Sequence, residues 1–132
     1  TFTLCGVSGY YLNNAGGQSR DTDWFILTAG STGAIEITAD AEQATYIFEL
    51  APQDCANVAV AQQATAGPCL ETFMTIPAGA MAPVWFWVGP TVFAAPPGGD
   101  SSYDYVVWFD GLYFDPVATE STTWGSMKAL FE

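Results

Sequence analysis

The sequence predicts an all-β protein built as two packed sheets of about eight strands. Three observations support this prediction. Nearly every segment is short and rich in β-branched or aromatic residues, as strands are. Clusters of Gly, Pro, Ser and Asp separate these segments at the spacing typical of a sandwich or barrel. A set of about eight strands favours two sheets over one.

Eight segments are predicted strands, in the order TFTLCG, DWFILT, GAIEITA, ATYIFEL, NVAVAQQ, LETFMTI, PVWFWVG and YDYVVWF. The second is a continuous apolar run, and the third alternates Ile35 and Ile37 with Glu36 and Thr38. Between the first two, GYYLNNAGGQSR carries turn residues. The remaining breakers are AGSTG, APQDC, TAGP, PAGAMAP and AAPPGGDSS.

Residues 117–132, VATESTTWGSMKALFE, differ from the sandwich pattern of residues 1–116 and form a predicted C-terminal tail. Ser121, Thr122 or Thr123 could cap a short helix. The apolar residues of that helix are Trp124, Met127, Leu130 and Phe131. A helix of about nine residues is marginal alone, so the tail must dock either on its own sandwich or on a neighbouring molecule.

The composition excludes several classes of function. The chain has 132 residues, half of them hydrophobic, and a formal net charge of −12 from two basic and fourteen acidic residues. Such a polyanion repels phosphate backbones, so nucleic acid is not an expected partner. No apolar run is long enough for a membrane span. The absence of histidine removes the commonest general base and metal ligand. No nucleophile motif or phosphate loop is present either, so an enzyme is not expected.

The three cysteines favour an extracellular location. Cys55 and Cys69 would close a loop of ordinary size, and because the chain lacks a C-x-x-C pair, a disulfide is a better interpretation than zinc. Cys5 could then pair with a residue upstream, pair with another chain, or remain a buried free thiol. Low lysine content and a start at Thr1 without methionine are also typical of a processed, secreted protein.

The segment SRDTDWF places two carboxylates, Asp21 and Asp23, at the entry of a strand. They could bind calcium, although calcium needs at least one further carboxylate, for which Asp100 and Asp104 are candidates. They could also form an acid–base pair, since residues i and i+2 of a strand share a face. The third hypothesis is structural: one aspartate accepts backbone N–H bonds at the strand start while Arg20 balances the charge.

The segment VWFWV predicts an aromatic surface. On a strand, Trp85 and Trp87 face one way, while Val84, Phe86 and Val88 face the other. If Phe86 and the valines fill the core, the two tryptophans project outward, where they could stack on sugar rings or be covered by a second subunit or by the tail. Trp108 and Phe109 would add aromatic surface. Burial of both faces within one domain is the remaining alternative.

Three of these segments, taken in order, resemble a known family. RDTDWFILTAGSTGAIEI, PAGAMAPVWFWVGPTVF and DYVVWFDGL are similar to successive strands of bacterial pre-peptidase C-terminal (PPC-type) domains, over about residues 4–112. The end, TTWGSMKALFE, resembles a short tail of some secreted proteins of environmental bacteria. The resemblance implies a jelly-roll-like β-sandwich without catalysis of its own. The acidic E-x-N-D segment that helps such domains hold calcium is absent from this sequence.

Together these features predict a non-enzymatic extracellular structural protein that binds copies of itself and assembles head-to-tail into a filament or surface layer. A terminal strand, from TFTLCGVSGYY or from the tail, could complete the sandwich of the next subunit. The alternative is an accessory module of a secreted hydrolase that binds polysaccharide or matrix protein through Trp85 and Trp87. No cofactor is expected apart from the candidate calcium ion.

Overall fold

The structure, a computed structural model, describes residues 1–54, 56–68, 70–97 and 101–114. This part of the chain contains nine β-strands and no helix. The strands are β1 (Phe2–Leu12), β2 (Gln18–Asp21), β3 (Asp23–Thr28), β4 (Ala34–Ala41), β5 (Thr45–Asp54), β6 (Asn57–Ala66), β7 (Thr72–Pro77), β8 (Pro83–Pro90) and β9 (Ser102–Asp110).

The described strands form two antiparallel sheets that face each other. One has the order β2-β1-β9-β4-β7 and the other the order β3-β8-β5-β6. Without β2, each sheet has four strands, the first strand pairs with the last, and the chain passes repeatedly from one sheet to the other. This is jelly-roll connectivity, so the predicted all-β two-sheet sandwich is confirmed.

The ninth strand, β2, lies in the segment that the sequence pattern assigned to turn residues. In this segment β1 and β2 form a hairpin in which Gly9 to Leu12 pair with Asp21 to Gln18. The Asn13 side chain accepts hydrogen bonds from the backbone N–H groups of Ala15 and Gly17, at 3.0 Å each. Gly16 adopts a φ of 78°, which favours glycine. The predicted turn residues are therefore present, and they form the turn of a hairpin whose two strands extend into the same segment.

The core lies between the sheets and follows the alternation of each strand. Ile35 and Ile37 of β4 are buried, as are Phe86 and Val88 of β8 and Phe109 of β9. The rings of Phe86 and Phe109 meet edge-on across the two sheets, with their centroids 5.3 Å apart. The predicted inward direction of Val84, Phe86 and Val88 is thus confirmed, whereas Phe109, expected to add aromatic surface, belongs to the core.

Two of the crossings between the sheets lie beside β3. Thr22 separates β2 in one sheet from β3 in the other. Gly111 turns the chain out of β9, and Leu112 then forms a bridge with Ala29 beside β3.

In the described ranges, no helix is long and apolar enough to span a membrane. The predicted tail, its helix and the boundary at residue 117 lie outside the described residues.

Candidate functional site

The acidic segment at the entry of β3 forms a corner where the chain passes from one sheet to the other. The Asp23 carboxylate accepts a hydrogen bond of 2.7 Å from the Tyr105 hydroxyl on β9. The Ser8 hydroxyl of β1 donates to the backbone carbonyl of Asp21 at 3.0 Å. Because β9 belongs to one sheet and β3 to the other, the Asp23–Tyr105 bond ties the sheets together. Among the described residues, Asp23 is therefore bonded to a phenol, and not to the backbone N–H groups that the structural interpretation of the strand start predicted.

The surroundings of Tyr105 make its proton difficult to remove. Burial raises the pKa of Tyr105, and the hydrogen bond and negative charge of Asp23 raise it further. The phenol therefore remains a donor to Asp23 over the whole neutral range.

The described residues do not bring together a calcium site around Asp21 and Asp23. In these ranges there is no group of three or more His, Cys, Asp or Glu side chains able to hold a metal ion. Asp104 is exposed, and its backbone N–H donates to Glu42 at 2.9 Å. Asp100 lies outside the described residues.

Arg20 fills the space between the corner and an aromatic stack. Its guanidinium carbon lies 5.0 Å from the centroid of the Trp87 ring and 4.3 Å from that of Phe93. Its Nη1 donates to the carbonyl oxygen of Pro90 at 2.9 Å. Trp87 also stacks on Phe48, with centroids 4.6 Å apart and planes 8° apart. Arg20 therefore holds β2 against the outer side of the other sheet through cation–π contacts as well as a hydrogen bond.

These contacts correct one prediction, because Trp87 does not project into solvent. Its side chain points to the outer side of the sheet, as the alternation predicted, yet only 4 % of it is exposed. Besides Phe48 and Arg20, it packs against Gly89, where an added Cβ would lie 2.7 Å from the indole ring. The expected pair of projecting tryptophans is therefore reduced to Trp85, which is half-buried.

An apolar surface nevertheless covers the outer side of the four-stranded sheet, although two of its members, Leu50 and Trp87, are buried. The strand registers place Trp24 beside Trp87 and Phe48 in one row. They place Ile26, Trp85, Leu50 and Val60 in the next row. We call this surface the aromatic face; its members are Trp24, Ile26, Phe48, Leu50, Val58, Val60, Trp85 and Trp87. Trp24 is 52 % exposed and Ile26 is 60 % exposed.

Trp108 does not belong to the aromatic face. It lies on the outer side of the five-stranded sheet, where its cross-strand partners are Thr3 and Thr38. The register continues from Thr38 to Phe73, which is largely exposed. The three tryptophans predicted to act together thus lie on opposite sides of the sandwich.

A shallow groove of about 700 Å³ lies on this second side, lined in part by Cys5, Val7 and Asp104. Cys5 is exposed and free, so the interpretation of Cys5 as a buried thiol is wrong. The predicted disulfide falls on Cys55 and Cys69, which lie outside the described residues.

In the part of the chain that the structure describes, the sandwich is open along one side, between residues 2–8 of β1, which β2 does not cover, and the edge strand β3. A groove of about 510 Å³ runs there between core-facing residues of the two sheets. Phe2 and Leu4 line it from β1, and Phe25 and Leu27 line it from β3. Leu112 and Tyr113 close one end, and Phe114 packs on Phe2 with ring centroids 5.9 Å apart. We call this groove the open side.

The sequence pattern did not indicate that Trp24 and Ile26 belong to the aromatic face. DWFILT is apolar at each of the four positions from Trp24 to Leu27, so the alternation that reveals a solvent-facing side is missing. Only the pairing of β3 with β8 shows that Phe25 and Leu27 face the core while Trp24 and Ile26 face out.

Comparison of the chain with protein-family models, with curated proteins and with solved structures found no match.

Proposed function

We propose that this protein is a non-enzymatic, extracellular structural subunit that assembles head-to-tail with copies of itself into a filament or surface layer. The observation that carries the proposal is the aromatic face. Exposed apolar patches of this kind on a soluble domain mark contact sites, since leaving them in water is unfavourable. The resemblance to PPC-type domains, modules of secreted proteins, supports the extracellular location.

The occupant of the aromatic face in this proposal is the C-terminal tail of the next subunit. Its residues Trp124, Met127, Leu130 and Phe131 supply an apolar stripe at helical spacing, and such a short helix needs a surface to dock on. The two contacting surfaces are different, so the contact is heterologous and propagates as a fibre. The N-terminal segment is not available as a donor strand, because residues 2–9 pair with β9 of their own chain.

Electron microscopy and sizing of the full chain at neutral pH test the assembly. We expect fibres of regular repeat, and we expect them to be lost on Trp24→Ser combined with Ile26→Ser, or on removal of residues 117–132. Phe73→Ser is the matched control, since Phe73 is an exposed aromatic on the other sheet. A native chain that stays at single-chain mass under all conditions would refute the proposal.

The charge of the chain predicts how assembly responds to salt. Copies that each carry a net charge of −12 repel one another when they are packed along a fibre. Low salt should therefore weaken assembly, and moderate salt or calcium should strengthen it, as measured by sedimentation of fibres across a salt series. Assembly that is indifferent to salt would contradict this electrostatic account.

A second candidate function is polysaccharide binding, favoured by the position of Trp24 and Trp85 on adjacent strands of the aromatic face. Aromatic rings at such positions pack against the apolar faces of sugar rings. Retention on insoluble glycans that is lost on Trp24→Ala and Trp85→Ala would support this function. Because Trp87 is covered by Phe48 and Arg20, substitution of Trp87 would report on folding and not on binding.

A further inference from the structure

The hairpin formed by β5 and β6 extends beyond the neighbouring strand of its sheet. That strand, β8, pairs with β5 only as far as Leu50, whereas β5 and β6 pair with each other as far as Asp54 and Asn57. The register of the hairpin shifts beside Leu50, so a bulge marks the place where the extension begins. We call this extension the arm; it consists of residues 51–54 of β5 and 57–60 of β6.

Both faces of the arm are exposed in the part of the chain that the structure describes. Val58 and Val60 lie on one face, and Ala51 and Ala59, which pair across the hairpin, lie on the other. All four side chains are exposed. A two-stranded ribbon without a packed face is only marginally stable in water, and a third strand would stabilise it. The arm therefore has a physical reason to bind a further strand along one of its edges.

The two edges of the arm differ in how readily they can accept a strand. The edge formed by β5 contains Pro52, which has no N–H to donate. The edge strand β6, Asn57–Ala66, contains neither proline nor a charged residue over its ten residues. Proline and charge are common means by which an edge strand avoids pairing with another chain. The β6 edge is therefore the one open to pairing.

The other edge strands of the described sandwich are better protected than β6. β2 is short and contains Arg20 and Asp21. β7 is six residues long and ends in Pro77. One end of β3 is already bonded within the chain, because the Tyr113 N–H donates to the Thr28 carbonyl. Of the described edge strands, β6 is thus the longest and the least protected.

The charge of the chain favours an identical strand as the partner of this edge. Two copies with a net charge of −12 each repel one another, and the uncharged β6 edge is where their backbones can approach with little repulsion. A cationic partner would instead be attracted to the acidic parts of the surface. Two identical strands can pair antiparallel, which is the self-complementary arrangement that a two-fold contact requires.

We propose that two copies of the chain pair antiparallel through their β6 strands, centred on Ala59, and join their four-stranded sheets into one. This register places Val58 of each copy opposite Val60 of the other, and β-branched residues suit such pairs. It holds the two Asp54 carboxylates about 33 Å apart along the strands, beyond the range of strong repulsion.

The proposed contact is closed and two-fold, so it does not rest on the head-to-tail assembly of the proposed function. Directly paired residues of an antiparallel sheet lie on the same face, so Val58 and Val60 of both copies face the same way. The two aromatic faces are then neighbours on one side of the joined sheet. The pairing uses backbone groups at the edge and leaves both aromatic faces accessible.

Analytical ultracentrifugation over a concentration series tests the pairing. The full chain carries Trp24→Ser and Ile26→Ser, so that fibres do not obscure the dimer, and we expect a monomer–dimer equilibrium. Adding Ala59→Glu or Ala59→Lys places like charges opposite each other and should raise the dissociation constant about tenfold or more. A mixture of the Glu and Lys variants should restore the dimer, because the opposed charges then attract.

Thr65→Glu is the matched control for Ala59→Glu. It adds the same charge at an exposed position of β6 that lies outside the arm, and the dissociation constant should stay unchanged. Equal dissociation constants for the two variants would overturn the proposal, since the dimer would then form elsewhere. Single-chain mass up to about 1 mM would overturn it as well. A mixture that fails to restore the dimer would refute the register centred on Ala59.

Amide hydrogen exchange gives a second test that needs no substitution in β6. In the same background chain, alternate N–H groups of residues 57–61 point away from β5, and dimer formation should slow their exchange about tenfold between dilute and concentrated samples. The N–H groups of β7 are the internal reference and should not change. Slow exchange at residues 57–61 that is independent of concentration would overturn the proposal, because the same chain would then cover its own edge.

Discussion

The corner at Thr22 and the open side lie at the same flank of the sandwich, between β1–β2 and β3, yet they are closed to very different degrees. At the corner, Asp23 and Arg20 connect the sheets by hydrogen bonds to Tyr105 and Pro90. Along the open side, Phe25 and Leu27 face Phe2 and Leu4 across a groove. Among the described residues, a crossover thus holds the two sheets together where it occurs and leaves a groove further along the flank.

The largest expected loss of stability comes from a substitution at the centre of the core, and it is compared with the loss at the open side. Phe86→Ala removes a fully buried ring and should lower the free energy of unfolding by about 3–5 kcal/mol. Phe25, its cross-strand partner, is less buried, so Phe25→Ala should cost less. Urea unfolding of the full chain measures both losses. Equal losses for the two variants would show that Phe25 is packed as tightly as Phe86 and that this flank is not open.

The second-largest expected loss of stability follows from removing the hydrogen bond at the corner. Tyr105→Phe removes the donor to the Asp23 carboxylate and should cost about 1.5–3 kcal/mol, the range for hydrogen bonds to charged groups. Tyr11→Phe is the matched control, since Tyr11 is more than half exposed and should change stability little. An unchanged urea midpoint for Tyr105→Phe would mean that the hydrogen bond at the corner does not hold the two sheets together.

The same tyrosine predicts a dependence on pH. Since the pKa of Tyr105 in the folded chain lies above its ordinary value of 10.0, the protonated phenol is favoured by folding. The contribution of Tyr105 to the free energy of unfolding is complete below about pH 10 and is lost as the pH rises above that value. The unsubstituted chain should therefore lose stability between about pH 10 and 11 more steeply than the Tyr105→Phe variant. Parallel curves for the two chains would contradict this assignment.

The smallest expected effect concerns Arg20. Arg20→Lys keeps the charge but loses the planar guanidinium, which lies near Trp87 and Phe93 and donates to the Pro90 carbonyl. The substitution should lower the free energy of unfolding by about 1 kcal/mol. Chemical denaturation measures the change, and the tryptophan emission of the chain, to which Trp87 contributes as one of five tryptophans, should shift to the red as the cover of Trp87 loosens. Full retention of stability and spectrum would show that lysine serves equally well and that the planar stack is not required.

The strand positions were largely predictable from the sequence because each strand carries its own local pattern. DWFILT coincides with β3, and the alternation of Ile35 and Ile37 correctly gave the buried side of β4. The candidate site was less predictable. The strand β2 is short and polar, so the pattern gave no sign that Arg20 would lie against Trp87 from another sheet.

Local alternation was sufficient to establish the all-β class and which residues of one strand share a side, because both follow from the two-residue period of an extended chain. It could not establish which side is covered, or by what. Trp87 is buried by Phe48 and Arg20, and Trp108 lies on the opposite sheet. Among the described residues, a groove separates β1 from β3. All three arise from pairings between segments far apart in the chain. Such contacts depend on sheet order, and sheet order is a property of the folded chain as a whole.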